Sequence, residues 1–223
     1  DSAKFEAYGQ KKRGPRGWID AREGRLLCHE EARLARRADV SLLISKGERD
    51  LFVSRLPADV RGSARMEVMP NGMDADLFAP GAAQPDTALQ ALAGPKVIFT
   101  GQMDYAPNIE AAERAIQAIM PLVRRAVPDA TFHVVGRNPP ASLRKWHQVG
   151  GNFVWGRVAD MRQWLAGSDL ALVPLDIARG VQNKVLEAMA MALPVVLTPD
   201  AATGIDARDG VEFQTAQSDA DLA

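Results

Sequence analysis

From Lys96 onward, short apolar runs alternate with stretches whose apolar residues recur at helical spacing. The runs are Lys96-Val97-Ile98-Phe99-Thr100, Thr131-Phe132-His133-Val134-Val135, Asn152-Phe153-Val154-Trp155, Leu170-Ala171-Leu172-Val173-Pro174 and Pro194-Val195-Val196-Leu197. Between them lie Ile109 to Val127, with Ala112, Ala115, Ile116, Ile119 and Leu122 in register, then Pro140 to Trp146, Met161 to Ala166 and Gln182 to Met191. Strands apolar along their whole length are buried on both faces, and covering helices supply that burial. The pattern predicts an α/β, doubly wound fold with five parallel strands. In such folds ligands bind beyond the carboxyl ends of the strands.

The first part of the chain differs in character. Ala21 to Ala38 reads as a charged helix, with Leu27, Leu34 and Ala38 sharing a face. Val40-Ser41-Leu42-Leu43-Ile44 reads as a short strand. Ser45 with Glu48 three residues later forms a capping-box pattern, opening a helix through Leu51, Phe52 and Leu56. Met66-Glu67-Val68-Met69 reads as a second strand, closed by the turn residues Pro70-Asn71-Gly72-Met73. Pro80, Gly81, Pro85, Gly94 and Pro95 mark residues 81–95 as a linker. The expected organisation is therefore 1–80, linker 81–95, and 96–223.

Composition narrows the class. Of 223 residues, 47% are hydrophobic, enough to build a core. The net charge of −1 provides no general pull toward nucleic acid. Residues 1–37 do hold ten Lys/Arg against six Asp/Glu. Such a segment reads either as a solvated helical face or as a contact with an anionic membrane surface. The single cysteine, Cys28, rules out an internal disulfide framework and fits a reducing, cytoplasmic compartment. It reads as a small buried thiol. No apolar run is long enough to span a membrane. His29, His133 and His147 show no metal-ligand spacing, and His133 reads as a core residue of a strand. The four tryptophans form no stacking stripe with basic residues. Neither a dinucleotide fingerprint nor a Walker A sequence is present. Asp1-Ser2-Ala3-Lys4 lacks an initiator Met, and Ser218 to Ala223 reads as the first turn of a helix. Both ends lead us to expect a fragment of a longer chain.

Candidate chemistry lies after the strands. Thr100-Gly101-Gln102, Gly136-Arg137 and Gly156-Arg157-Val158 place glycine where the chain turns or a ligand approaches closely. Each glycine taken alone is equally compatible with plain turn chemistry. After the fourth strand come Ile177-Ala178-Arg179-Gly180 and a helix start. Unpaired N–H groups there make a seat for phosphate. Lys184 lies on the first turn, and Glu187 shares its face. Together they could grip the diphosphate and ribose of a nucleotide, or form an ordinary helical ion pair.

Several segments resemble family 4-type glycosyltransferases. They are Val185-Leu186-Glu187-Ala188-Met189-Ala190 followed by Pro194-Val195-Val196, Asn71-Gly72-Met73-Asp74 with Phe78, and Phe99 to Asn108. The last, together with Pro174-Leu175 and Ala178 to Lys184, is similar to a bacterial subgroup of sugar transferases associated with exosortase and exopolysaccharide loci. The resemblance implies a GT-B fold of two Rossmann-like domains, the first incomplete here. It implies retaining transfer of a sugar from a nucleoside diphosphate sugar to a glycan or lipid-linked acceptor hydroxyl, with no tightly bound metal or further cofactor. It would place Glu187 at the ribose, and Lys184, Gly180, Val181 and Gln182 at the diphosphate. Arg157 and Val158 would meet the base, with Gly101 and Gln102 bordering the cleft. The family pairs Glu187 with a second Glu eight positions earlier, where this chain has Arg179. Gln102 and Asn108 stand where the family often has Arg and Lys, so Arg179 and Lys184 would supply the positive charge. The resemblance names no catalytic residue. Two other readings are a GT-B nucleotide-sugar epimerase, which needs carboxylates and a His converging on the sugar, and a fragment that only binds nucleotide.

Overall fold

The computed structural model describes residues 2, 3, 5, 14–178 and 180–223. It divides after Pro70 into two compact units.

The first unit is a parallel βαβ arrangement beside a long helix. Helix α1 (Pro15–Arg37) starts with Pro15, whose fixed φ suits a first turn. Strands β1 (Ser41–Leu43) and β2 (Met66–Val68) pair in parallel, Ser41 opposite Met66 and Leu43 opposite Val68. Between them run α2 (Lys46–Arg55) and α3 (Ala58–Arg61). Ser45 caps α2, its hydroxyl accepting from the Glu48 N–H at 3.1 Å, as the sequence pattern requires. The core is small: Ala32, Ala35, Leu56 and Val60, flanked by Phe52, Ala64 and Met66.

Here the expected α1 face is corrected. Leu34 is 53% exposed and Ala38 is exposed, while Gly17, Gly24, Ala32 and Ala35 are buried. The helix packs through its smallest side chains, which allow close approach of the neighbouring backbone. The leucines lie on other faces of the same cylinder. Cys28 is only half-buried, its thiol 3.9 Å from the Arg55 carbonyl.

The second unit is a six-stranded parallel sheet. Its strands are β3 (Lys96–Thr100), β4 (Thr131–Val135), β5 (Asn152–Gly156), β6 (Leu170–Val173), β7 (Val195–Leu197) and β8 (Gln214–Thr215). Their spatial order is β5-β4-β3-β6-β7-β8. The five expected strands are present; β8 is too short and polar to be read from a pattern. Phe99, Ile98, Phe132, Leu172 and Leu197 fill the centre with essentially no exposure.

Helices cover the sheet: α4 (Thr87–Gln90), α5 (Ala106–Arg114), α6 (Met120–Ala126), α7 (Ala141–Arg144), α8 (Met161–Ala166) and α9 (Asn183–Ala190). Within residues 81–95, Asp86 caps α4 and Leu89 is fully buried in this unit's core. Between α5 and α6 the backbone widens into a π-helical segment, Ala115–Ile119. Pro121 lies just beyond it. Proline lacks the N–H of a regular turn and crowds the carbonyl four residues back, and a wider turn relieves both. Ala112, Ala115, Ile116 and Ile119 are buried as their spacing indicates.

The stretch at Ser218 closes as a turn rather than a helix. Its hydroxyl accepts from the Asp221 N–H at 3.2 Å, and Leu222 is buried.

Candidate functional site

Strand order locates the site. β3 pairs with β4 on one side and with β6 on the other. The chain therefore winds outward in opposite directions from β3 and β6. At such a switch point, the loops leaving the two carboxyl ends diverge and open a crevice. The loop after β3 leads into α5, and the loop after β6 leads into α9.

The loop after β3 is built on two glycines. A Cβ on Gly136 would lie 1.6 Å from the Gly101 carbonyl oxygen, so no side chain fits there. That contact lets the Gly101 N–H donate to the Val135 carbonyl at 3.1 Å, and the Gly136 N–H to that of Gly156 at 2.8 Å. The Met103 N–H donates to the Arg137 carbonyl at 2.9 Å. The ends of β3, β4 and β5 are thus stitched into one rim. Gly156 turns the chain with φ 74 and has open space around it.

Above the rim, Lys184 reaches from the first turn of α9 to the first turn of α5. Its ammonium donates to Asn108 Oδ1 at 2.6 Å and lies 4.6 Å from the Phe99 ring centre. A Cβ on Gly101 would approach Asn108 Nδ2 to 2.8 Å and Lys184 Nζ to 3.1 Å, so glycine is needed here too. Asn108 is buried, and its Nδ2 donates to the Gln102 carbonyl at 2.9 Å. Burial pulls the Lys184 ammonium down to about 8, with the Glu187 charge opposing. Burial pushes the Glu187 carboxyl up, with Lys184 opposing. The pair shares a field but forms no direct ion pair among the described residues, because Lys184 is turned toward Asn108.

The remaining expected residues are distributed around this centre. Gln102 is exposed, and its Oε1 accepts from Arg137 at 2.9 Å. Gly180 is buried at φ 70, and Gln182 Nε2 donates to its carbonyl at 3.2 Å. Val181 is half-buried beside it. Gln182 provides no side-chain cap to α9, leaving the helix start to other partners. Arg157 is exposed and Val158 packs on the core just after β5, two strands away from β3. Arg179 lies outside the described residues. The structure therefore brings Gly101, Lys184 and Glu187 together and leaves Arg157 and Val158 further along the rim.

Four residues of the site were given no role by the sequence. Asn108 joins both sides of the crevice. Its signal was a polar residue on the buried stripe of α5, four before Ala112 and seven before Ala115. Within the second unit, Asn71 Nδ2 donates to Asn183 Oδ1 at 3.0 Å, at the α9 start. Arg137 and Asn138 line the rim, Asn138 donating to Asp104 at 2.8 Å and holding that carboxyl below its usual range.

His133 is a buried core residue of β4, as expected. Trp155 Nε1–H donates to its Nδ1 at 3.1 Å, so the ring proton sits on Nε2, facing Thr131 Oγ1 at 2.9 Å. Burial and the Lys96 charge lower it to about 4, so it stays neutral. Among the described residues no three His, Cys, Asp or Glu side chains are grouped to hold a metal ion.

Similarity to known structures is broad and low in identity. The Anabaena protein Alr3699/HepE in complex with UDP-glucose matches with a TM-score of 0.65 at 17% identity, over 87% of this chain and 55% of that one. Sucrose-phosphate synthase from Thermosynechococcus elongatus matches at 0.61 and 16%, over 86% and 48%. The pneumococcal O-GlcNAc transferase GtfA in complex with UDP and GlcNAc matches at 0.62 and 16%, over 86% and 36%. The chain thus spans about half the length, or less, of these proteins, and shares their GT-B type α/β fold. A comparison with curated protein sequences finds no match. Residues 94–223 match the model of one family. Those residues are more than half of the chain and include the rim, Asn108, Lys184 and Glu187, and by that match the chain belongs to the glycosyl transferases group 1.

Proposed function

We propose that the protein is a retaining glycosyltransferase that moves a sugar from a nucleoside diphosphate sugar to an acceptor hydroxyl in exopolysaccharide or related glycan assembly. The observation that carries this reading is the half-buried Lys184 at the switch point, beside the uncapped start of α9 and one turn from Glu187. Its ammonium has three donors, and one is taken by Asn108. The other two have no acceptor among the described residues, nor does the Glu187 carboxylate receive a hydrogen bond there. A diphosphate would satisfy the ammonium and the helix start, and ribose hydroxyls would satisfy Glu187. The complexes of similar structures with UDP-glucose and with UDP and GlcNAc support a nucleotide-sugar donor.

In the reaction the bond between the anomeric carbon and the diphosphate oxygen breaks. The acceptor oxygen bonds to that carbon and its proton is lost. Negative charge gathers on the leaving diphosphate, and fixed N–H groups and the Lys184 ammonium stabilise it more than they stabilise the ground state. Gly101 lets the diphosphate approach the backbone, with Gln102 at its border. Gly180, Val181 and Gln182 shape the helix start, Arg179 adds positive charge, and Arg157 and Val158 face the base.

Titration of the chain with UDP and with GDP tests the donor seat. Lys184→Ala and Glu187→Ala should each weaken binding, by roughly tenfold or more for the lysine. Wild-type affinity in both variants would remove the reading.

For the acceptor side, we assign α1 a peripheral contact with the anionic cytoplasmic face of a membrane that carries lipid-linked acceptors. Arg22, Arg25, Arg33, Arg36 and Arg37 are exposed there alongside Trp18, Ile19 and Leu26. No helix among the described residues is long and apolar enough to cross a membrane. Sedimentation with anionic vesicles, compared with a variant neutralised at Arg22, Arg25 and Arg33, tests it. Equal binding by both would refute it.

A further inference from the structure

We propose that Asn108 is the positioning residue of the donor seat, holding the Lys184 ammonium against the Gly101 turn in the orientation that meets a diphosphate. The proposal rests on the donor-seat reading above and deepens it.

The geometry gives Asn108 two fixed attachments. Its Nδ2 donates to the Gln102 carbonyl at 2.9 Å, and its own backbone N–H donates to the Tyr105 carbonyl at 3.0 Å. The amide is thereby locked to the loop after β3, which is itself stitched to the end of β4 through the Gly101 and Met103 N–H groups. Its free end, Oδ1, accepts from Lys184 at 2.6 Å. A flexible lysine side chain is thus anchored at its tip to the opposite wall of the crevice. Without that anchor, four rotatable bonds would let the ammonium seek water or the Glu187 carboxylate on its own helix. A neutral amide holds the cation without cancelling its charge, so the full charge remains available to an anion. A carboxylate at the same position would hold it more tightly and compete with the ligand.

The electrostatic setting supports the same role. The charged side chain that acts on Lys184 among the described residues is Glu187, on α9. The walls from β3 and α5 contribute Phe99, Gly101 and Asn108, none of which titrates. The unliganded ammonium releases its proton near pH 8. An anion bound beside it favours the protonated form, so affinity is retained below that pH and lost above it.

The test is calorimetric titration of the 223-residue chain with UDP between pH 7 and 9.5, with thermal melting as the check on folding. Wild-type affinity should decline above about pH 8. Asn108→Ala should bind UDP about tenfold more weakly at pH 7.5. Asn108→Asp places a carboxylate against the ammonium, so its decline should move up by about one pH unit or more. A residue that only supported the fold would change the melting temperature and leave the pH of the decline in place. Wild-type affinity in Asn108→Ala overturns the proposal. If that variant does not fold, an unshifted pH profile in Asn108→Asp overturns it. Lys184→Ala in the same titration separates the two ideas. If it binds UDP normally, the donor seat itself is wrong. If it loses affinity while both Asn108 variants behave as wild type, only the positioning role fails.

Discussion

Arg124 and Lys184 are cations drawn into the second unit at opposite ends of its sheet, and burial lowers the pKa of each. Arg124 sits at the amino ends of β4 and β5. It donates to the Ala130 carbonyl at 2.9 Å and, at 3.0 Å each, to the Gly151 carbonyl and Asn152 Oδ1. Three of its five N–H donors are spent on the protein's own acceptors. Lys184, at the carboxyl end of β3, makes one such bond. The end that closes the fold satisfies its buried charge internally. The cation that faces the crevice has a single acceptor, Asn108. Desolvating a charge costs free energy unless partners compensate, and Lys184 has fewer protein partners to compensate it than Arg124.

This contrast can be broken by experiment. The largest effect should come from the rim that supports the ligand end. Gly136→Ala drives a Cβ into the Gly101 carbonyl, and should cost about 4 kcal/mol or more of stability by denaturant melts. A near-normal melt would mean the three strand ends are not packed as described. Next is Arg124→Met, which orphans the Ala130 carbonyl and Asn152 Oδ1 and removes one of the two donors to the Gly151 carbonyl. It should lose about 2–4 kcal/mol while the folded fraction keeps wild-type UDP affinity. Lost affinity with intact stability would invert the comparison.

His133 offers a pH arm, being buried in neutral form between the two ends. Its pKa is lowered from 6.5 to about 4. The unfolded chain therefore binds more protons than the folded chain between those values. Stability should be full above about pH 6.5 and fall by up to about 3 kcal/mol as pH drops toward 4. His133→Gln should flatten that part of the melting profile. The smallest stability effect belongs to Lys184→Met, within about 1 kcal/mol of wild type. Its UDP affinity should nevertheless fall roughly tenfold to a hundredfold. A large loss of stability there would make Lys184 a structural cation like Arg124.

Much of the fold was legible because its signals are local. The five long strands announce themselves as apolar runs, and Ser45 with Glu48 marks a helix start that forms as written. Lys184 and Glu187 were legible as a pair one turn apart. What escaped was whatever depends on a distant partner. Leu34 sits on a plausible apolar stripe but is exposed, because α1 packs through Gly and Ala. The Ala115–Ile119 widening answers Pro121, and β8 exists only because β7 offers it an edge. Lys184 read either as a diphosphate ligand or as an ion-pair partner of Glu187, and neither reading pointed to Asn108, to which its tip is bonded.

By itself the sequence determined the five longer strands, the main helices between them, the glycines that end three of the strands, and the spacing that sets Lys184 and Glu187 one turn apart. Periodicity and turn chemistry act within a few residues, so they survive in the linear order. Only the tertiary structure decided that β3 and β6 are neighbours, and so that Asn108 and Lys184, 76 positions apart, share one crevice. Strand order is settled by the packing of whole layers, and no short stretch of sequence records it.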